Sequence, residues 1–491
     1  MRSDEQVLAH FGKKQQLKRV FGLISCLGLG CTLMLTWEGS FVFVQSFLLN
    51  GGPTGAFAAF PIVTLGVLSQ VLVMAEMASM IPLSGGEYNW VAILAPKNLS
   101  NFLSYMTGWV LVIAWQGACA SVAWINSTIV LGLVQINYPD YETKAWHGIL
   151  IFYAVVALAL LINTYLGRVF LWLEAVAFIV HVVGFFAIMI VLMYLAPKSS
   201  PTLVFDNFMN LGGLTNIQSA LVGSVTIMYM FNGVDGATHM AEEIENAAVV
   251  IPQALIITVL INGAIGWAAL FVVFFCMGSV EDIMDVPGGV AFVSMFASVT
   301  KSVTGASLLT CIILTMGICG SIGLLGTASR MLWAFAREDG VPLSTYISRV
   351  RHHTSLPIFA ISITAFISLS LALVNLGSVV TFNALTGLTV AGFYSAFMVA
   401  GGVMLYRRLT TASVDMAWGP FCMGRLGVPI TIFAMIYSFI GWFFSFWPPV
   451  ANLSASTFNW SLAVYFGVLF IAIAWWGLRA RKTYKGPKVE I

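Results

Sequence analysis

A carboxylate stands inside an interrupted apolar segment near the middle of the chain. An apolar helix pattern runs up to Phe231, and residues 232–236, which include Gly233, Asp235 and Gly236, then interrupt it. Each glycine costs a helix roughly 1 kcal/mol relative to alanine, so the pair predicts a break. Backbone groups freed by a break at membrane depth are tolerated only where they face a cavity. The alternative is a kinked structural helix in which Asp235 is paired with a neighbouring side chain.

A second carboxylate, Glu38, stands in a similar interruption of the first apolar segment. Gly28 and Gly30 precede it, and the small and polar residues of 35–40 surround it. Few basic residues lie at membrane depth to pair with Glu38, although a salt bridge that packs helices is the alternative. Two interrupted apolar segments in corresponding positions indicate a binding site in membrane transport proteins.

Other polar side chains at membrane depth are candidates for coupling or gating. Glu174 and His181 are seven residues apart, which places them on one helix face. A proton relay and a satisfied Glu–His pair or packing network explain these two residues equally well. Glu76 is expected to brace an inner gate or a helix end. Gln116 faces a cavity or forms an interhelical hydrogen bond, and Ser321 completes the candidates.

These side chains have to be positioned by helices that cross a membrane. Hydrophobic residues make up 59% of the 491 residues and charged residues 9%, whereas soluble domains carry about 25% charged residues. The mean hydropathy is +0.93. Windows of about twenty apolar residues recur, each long enough to cross a bilayer. They predict twelve spans, at roughly 20–46, 55–81, 101–134, 146–164, 169–196, 215–241, 253–278, 304–328, 357–375, 379–405, 428–447 and 460–478.

The basic residues predict the orientation of these spans. Of the 22 lysines and arginines, only Lys144, Lys198 and Lys301 fall in segments assigned to the outer side. Lys and Arg accumulate in cytoplasmic loops, so both termini are expected to be cytoplasmic. The N-terminus lacks a cleavable signal pattern, and the first span is therefore expected to stay in place. The net charge of +2 reflects this topology and gives no reason to invoke nucleic acid.

Several functional classes find no support in the sequence. The seven cysteines show no CxxC or Cys/His spacing, so we interpret them as packing residues and expect no metal site and no cofactor. A GxxxxGK[ST] sequence is absent, which argues against a built-in ATP motor. Two glycosylation sequons, at Asn452 and Asn459, fall in the last outer loop and are either acceptors or chance matches.

Two longer motifs resemble those of a known family. Residues 75–88, AEMASMIPLSGGEY, resemble the signature after the second helix of amino acid–polyamine–organocation transporters. Residues 231–252, FNGVDGATHMAEEIENAAVVIP, are similar to the sixth-helix signature of the fungal amino acid/choline branch, which includes GABA permeases and choline transporters. The N-terminal pattern DExxLxxFG, the run HVVGFF at 181–186 and residues 329–342 also match.

The resemblance implies an all-α membrane protein with a five-plus-five inverted repeat and a substrate site between broken first and sixth helices. Amides near Gly39 and Ser40 would then bind a carboxylate, and carbonyls near Phe231 and Asn232 an ammonium. The carboxylates would favour an amine, and aromatic rings would add cation–π contacts. The residues predicted to bind substrate are Thr36, Trp37, Glu38, Gly39, Ser40, Tyr229, Phe231, Asn232, Gly233 and Asp235.

The sequence therefore predicts a secondary transporter of an amino acid or related GABA-like amine, working by alternating access in the plasma membrane. A choline or polyamine carrier is the alternative within this class, and a nutrient sensor on a transporter scaffold is the alternative outside it. Burial that keeps a carboxylate protonated favours the proton as coupling ion. Partners are the small-molecule substrate and the lipid bilayer, and an enzymatic role is not expected. The predicted divisions are an arm at 1–19, a core at 20–405 (repeats 20–196 and 215–405), helices at 406–478 and a tail at 479–491.

Overall fold

Apolar helices run through nearly the whole chain. The structure is a computed structural model that describes residues 4–286, 290–351, 356–374, 380–455 and 457–487. In its first half the helices are α1 (Asp4–His10), α2 (Leu23–Met34), α3 (Thr36–Val42), α4 (Val44–Leu49), α5 (Gly52–Met80), α6 (Glu87–Leu94), α7 (Ser100–Asn137), α8 (Ala145–Tyr165), α9 (Gly167–Leu195), α10 (Pro201–Phe205), α11 (Asn216–Met230) and α12 (Gly236–His239).

The second half contains the remaining helices. They are α13 (Ala247–Cys276), α14 (Val280–Met284), α15 (Ala291–Thr300), α16 (Val303–Arg337), α17 (Ser344–Ile347), α18 (Ile358–Val374), α19 (Val380–Thr410), α20 (Gly427–Phe444), α21 (Ser461–Trp475) and α22 (Arg481–Thr483). A two-residue antiparallel pair, β1 (Asn50–Gly51) with β2 (Met209–Asn210), has the register Asn50 to Asn210 and Gly51 to Met209.

Ten helices among the described residues are long and apolar enough to cross a membrane, and they make the chain an integral multi-pass membrane protein. The predicted sixth span is divided between α11 and α12, and the predicted ninth is the 17-residue α18. The count of twelve therefore stays a prediction, as does the division into repeats. Part of the predicted C-terminal tail, 488–491, lies outside the described residues.

Both predicted interruptions are present. α2 ends at Met34, and Leu35 adopts a left-handed conformation, with φ of 49°, before α3 begins. α11 ends at Met230, and Gly233 in the following turn has φ of 85°. The two breaks pack against each other, because a Cβ atom on Gly233 would lie 3.2 Å from Cβ of Leu33.

α16 extends further than predicted, to Arg337 instead of residue 328. Its last turns carry Arg330 and Arg337, whose charges made the sequence look like a loop. In the fold these guanidinium groups are buried and paired: Arg330 Nε lies 2.9 Å from Glu243, and Arg337 Nη2 lies 2.6 Å from Glu242. Paired charges allow a helix to continue through a buried region.

The N-terminal arm covers this end of the bundle, which we call the arm side. Lys13 forms a buried salt bridge with Glu338. The backbone amides of Val20 and Phe21 donate to the carbonyl of Glu243, at 2.8 and 3.0 Å. Together with the two arginine–glutamate pairs, these contacts close the arm side.

The sequon at Asn459 is not an accessible glycosylation site in this structure. Asn459 is 6% exposed, and its Nδ2 donates to the carbonyls of Ser445 and Trp447 at 2.8 and 3.2 Å. Asn452, in contrast, is exposed. Of these two sequons, only the one at Asn452 is therefore presented to solvent.

Candidate functional site

A buried cavity lies where the two interrupted helices meet, and we call it the central cavity. It is lined by residues of α2, α3, α7, α11 and α16, by the turn after α11 and by Thr389 of α19. Its volume is about 50 Å³, far below the roughly 300–1,000 Å³ of pockets that hold small molecules. An amino compound could enter only if these helices moved apart.

Three polar side chains of the central cavity each have one buried atom without a hydrogen-bond partner in the described structure. These atoms are Oε2 of Glu38, Oδ1 of Asn126 and Nδ2 of Asn232. A buried polar group left unsatisfied costs about 1–3 kcal/mol. The set comprises two acceptors, one of them on a carboxylate, and one donor. An ammonium group together with an acceptor supplies the kinds of partner that these three atoms lack.

Neighbouring side chains orient these cavity residues. Nδ2 of Asn126 donates to Oγ of Ser321 at 2.9 Å, which joins α7 to α16. The hydroxyl of Tyr229 lies 2.6 Å from Oγ of Ser121. Ser321, predicted as a coupling or gating candidate, therefore contacts a cavity residue, and Tyr229, predicted to bind substrate, lines the cavity.

Glu38 has a partner that the sequence did not reveal. Its Oε1 lies 2.8 Å from Nδ1 of His181, and Nε1 of Trp37 lies 3.1 Å from the same nitrogen. Because an indole can only donate, Nε1 of Trp37 is a donor to Nδ1 of His181, and this nitrogen lies between Trp37 and Glu38 beside the central cavity.

Glu174 and His181 do not pair with each other. Oε2 of Glu174 lies 2.7 Å from Oγ1 of Thr32, which also lies 2.9 Å from the carbonyl of Leu29. A Cβ atom on Gly323 would lie 3.1 Å from Oε1 of Glu174. Glu174, on α9, thus contacts α2 and α16, whereas His181, on the same helix, contacts α3. Of the alternatives considered for these two residues, a Glu174–His181 pair is not formed, and the shared helix face serves two separate contacts.

Two predicted residues of the first interruption face α13 instead of the central cavity. Thr36 donates to the carbonyl and side-chain oxygens of Asn262, both at 2.9 Å. Oγ of Ser40 lies 3.2 Å from the carbonyl of Gly266. Gly39 does line the cavity, but its amide donates to the carbonyl of Leu35 at 2.9 Å. The amide of Gly39 itself is therefore not an open donor in this structure.

Asp235 does not share the central cavity with Glu38. It lines a smaller neighbouring cavity, of about 30 Å³, together with Glu87, Phe231 and Gly233, and Asn232 contributes to both cavities. Nε2 of His239 lies 3.2 Å from Oδ2 of Asp235. We call this smaller space the arm-side cavity. In this structure Glu38 and Asp235 therefore line two neighbouring cavities.

Glu87 is the third acid of this region and lies outside the membrane-spanning helices, at the start of α6. Burial, and secondly the negative charge of Asp235, raise the pKa of Glu87 to about 8. Burial and the neighbouring acid thus both disfavour a negative charge on this carboxyl group. Sequence reasoning missed Glu87 and His239. His239 follows Asp235 by four residues, a helical spacing that was available as a signal.

The remaining predicted residues lie away from both carboxylates. Nε2 of Gln116 donates to Oγ1 of Thr364 at 3.3 Å, the interhelical bond that we had considered. Glu76 pairs with Arg408 and accepts from the amide of Met423 at 2.8 Å. It therefore braces the end of α19 and the segment after it. Asn126 was also missed as a cavity residue, although an amide at mid-depth in a span is itself a signal.

The chain matches known proteins over nearly its full length. A family model described as amino acid permease matches residues 21–472. A candidate amino acid/polyamine transporter of Macrophomina phaseolina is 28% identical over 90% of this chain and 97% of its own length. The choline transporter of Saccharomyces cerevisiae is 27% identical over 95% of this chain and 83% of its own. The amino-acid permease BAT1 homolog of Oryza sativa is 27% identical over 98% and 94%.

The family model covers most of the chain, including both interrupted helices and all the residues that line the central cavity. These relatives are named for the movement of small amino compounds and not for an enzymatic reaction. The chain therefore belongs to the amino acid permease family and is a membrane transporter of amino compounds.

Proposed function

We propose that this protein is a secondary active transporter of an amino acid or a closely related GABA-like amine, bound in the central cavity. One observation carries the proposal: Glu38, Asn126 and Asn232 line the cavity, and each leaves one polar atom without a partner. An ammonium group would donate to the oxygens of Glu38 and Asn126. A carboxylate or carbonyl of the same molecule would accept from Nδ2 of Asn232.

The alternative substrates, choline and polyamines, match the three unpartnered atoms of Glu38, Asn126 and Asn232 less well. Choline has a quaternary nitrogen without N–H donors, so its hydroxyl could satisfy only one of the two oxygens. A polyamine offers donors but no acceptor for Asn232. Phe43 and Tyr229 do add aromatic surface to the cavity, and their ring centroids are 5.6 Å apart. Cation–π attraction would therefore help any of these cations, and the polar atoms provide the distinction.

Closure on both sides supports alternating access. On the arm side, the path from the central cavity to solvent is covered by the salt bridges of Arg330 and Arg337 and by the N-terminal arm. On the opposite side Phe43 and Tyr229 line both the central cavity and a further cavity that extends to Asn459. These two rings separate the spaces. A transporter that passes between openings on either side has to visit such a closed arrangement.

Uptake measurements test the substrate class. Cells that express the protein are given labelled GABA, neutral amino acids, choline and spermidine, one at a time, with empty-vector cells as the control. We expect uptake of one or more compounds with a primary amine and a carboxylate. Uptake of choline or spermidine alone would contradict the proposal in favour of the matching alternative. Wild-type protein at the membrane without uptake or efflux of any of these compounds would contradict it altogether.

We further propose that the proton is the coupling ion and that Glu174 carries it. Oε2 of Glu174 accepts from the hydroxyl of Thr32 at 2.7 Å, and the side chain is buried, with an exposure of 1%. A buried carboxylate is costly to keep ionised, so a proton bound to Glu174 in this closed arrangement would lower that cost. Glu174 contacts α2 and α16, so movement of these helices would expose the acid to water and release its proton.

Exchange of sodium for N-methylglucamine at fixed pH is expected to leave the transport rate unchanged. An inward proton gradient is expected to accelerate transport by the wild type but not by the Glu174→Gln variant. Glutamine keeps the hydrogen bond to Thr32 but cannot release a proton. Glu142→Gln, at an exposed acid, is the matched control. A strict sodium requirement, or a normal response of Glu174→Gln to the gradient, would contradict proton coupling.

We also propose that the protein resides in the plasma membrane with the arm side towards the cytoplasm. The distribution of lysine and arginine supports this orientation. An epitope tag placed before residue 4 should be reached by antibody only after the cells are permeabilised. Labelling of intact cells would reverse the orientation.

A further inference from the structure

Three side chains of types that bind metal ions meet beside the arm-side cavity, which adjoins the central cavity at Asn232. They are Glu87, at the start of α6, Asp235, in the turn before α12, and His239, at the end of α12. Nε2 of His239 lies 3.2 Å from Oδ2 of Asp235 and 3.8 Å from Oε2 of Glu87. All three ligand atoms lie within 4.8 Å of one another. The three side chains are almost completely buried, with exposures of 0–4%.

The other nitrogen of His239 determines what Nε2 presents to the carboxylates. Nδ1 lies 3.1 Å from the carbonyl oxygen of Ser84. A carbonyl only accepts, so Nδ1 carries a hydrogen and donates it. A neutral imidazole then directs the lone pair of Nε2 towards the two acids. Metal-binding histidines use this arrangement: a backbone carbonyl accepts from one ring nitrogen, which orients the other nitrogen for the metal.

The carboxylate oxygens of Glu87 and Asp235 and Nε2 of His239 face one another at the centre of the cluster. Oε2 of Glu87 is one of the buried atoms without a hydrogen-bond partner in the described structure. A divalent cation supplies two positive charges from one point. It balances both carboxylates and satisfies all three ligand atoms together.

We propose that Glu87, Asp235 and His239 form a binding site for a divalent transition metal ion, with Zn²⁺ as the best match to one imidazole and two carboxylates. Zn²⁺ lies about 2.0–2.2 Å from such nitrogen and oxygen ligands. Ligand atoms 3.2 and 3.8 Å apart can therefore share one ion with little movement. The adjoining arm-side cavity, of about 30 Å³, offers room for a water molecule as a further ligand.

Such an ion would connect α6 to α12, the part of the interrupted sixth membrane span that lies on the arm side. Glu87 is contributed by α6, whereas Asp235 and His239 come from the segment that follows the break. The indole of Trp115 covers the imidazole, with ring centroids 5.4 Å apart. If the protein transports by alternating access, as proposed above, a bound ion would oppose opening on the arm side and inhibit transport.

The test measures metal binding directly and does not depend on transport. Purified full-length protein in detergent is treated with EDTA, passed over a desalting column and titrated with Zn²⁺ alone. We expect one tightly bound Zn²⁺ per chain by elemental analysis. Glu87→Gln, Asp235→Asn and His239→Gln should each weaken binding about 100-fold or more, because loss of an outer partner already costs 10- to 100-fold. His147→Gln, at a histidine outside the cluster, is the matched control.

Co²⁺ distinguishes these ligands from the cysteines, since thiolate ligands produce intense charge-transfer absorption and imidazole and carboxylate ligands do not. A variant counts only if it elutes as a single species in size-exclusion chromatography. Zn²⁺ should also raise the thermal midpoint of the wild type and of His147→Gln but not that of the three variants. Absence of a bound ion in the wild type, equal binding by the variants, or thiolate absorption would overturn the metal site. None of these outcomes would affect the substrate proposal, because uptake is measured separately.

Discussion

Replacement of Gly233 by leucine should abolish transport while the protein still reaches the membrane. Gly233 has φ of 85°, a conformation that side-chain-bearing residues adopt at a cost of roughly 1–2 kcal/mol. A Cβ atom there would lie 3.2 Å from Cβ of Leu33 and 3.8 Å from the indole of Trp115. A leucine side chain would add three further carbon atoms beyond this already tight contact. It would therefore separate the interrupted helices that form the central cavity.

The measurement is the initial rate of uptake, normalised to the amount of protein at the surface. Gly467→Leu is the matched control, because a Cβ atom at this position in α21 meets no atom within 4 Å. Gly233→Ala should retain partial activity, since it brings the backbone strain with little bulk. Normal uptake by Gly233→Leu would show that contact between the breaks is not required.

Glu38→Gln should weaken binding of an amine-bearing substrate by about 1–3 kcal/mol, or roughly 5- to 150-fold in affinity. The substitution removes the negative charge but nearly keeps the shape. Oε1 of Glu38 is held by His181, so the change falls on Oε2, which has no partner in the central cavity. A charge-assisted hydrogen bond to an ammonium group would thereby be lost.

Affinity is measured by competition against the labelled substrate found in the uptake panel. Asp140→Asn removes an exposed carboxylate and serves as the control for a change in charge. Asp235→Asn should change substrate affinity less than Glu38→Gln, because Asp235 lines the arm-side cavity. A wild-type affinity in Glu38→Gln would assign this acid a structural role, and the amine preference would have to arise elsewhere.

Local sequence properties predicted the interruptions well. The apolar pattern of α11 and the glycines after it placed the break within the residues where the helix ends. The break near Leu35 followed from the polar residues around Glu38 in an otherwise apolar segment. Both signals are local, because a glycine weakens its own helix whatever surrounds it. The end of α16 was misplaced for the opposite reason: the partners of Arg330 and Arg337 lie 87 and 95 residues away.

The sequence by itself determined that this chain crosses a membrane, which helices are interrupted and which family it resembles. Apolar length, glycine content and motif spacing are properties of single segments. Only the tertiary structure decided that Glu38 pairs with His181, that Asp235 belongs with Glu87 and His239, and that Asn126 lines the central cavity. These pairings depend on how each helix is rotated against its neighbours. Between membrane helices that rotation is set by close packing at small residues and by interhelical hydrogen bonds, which join residues far apart in the chain.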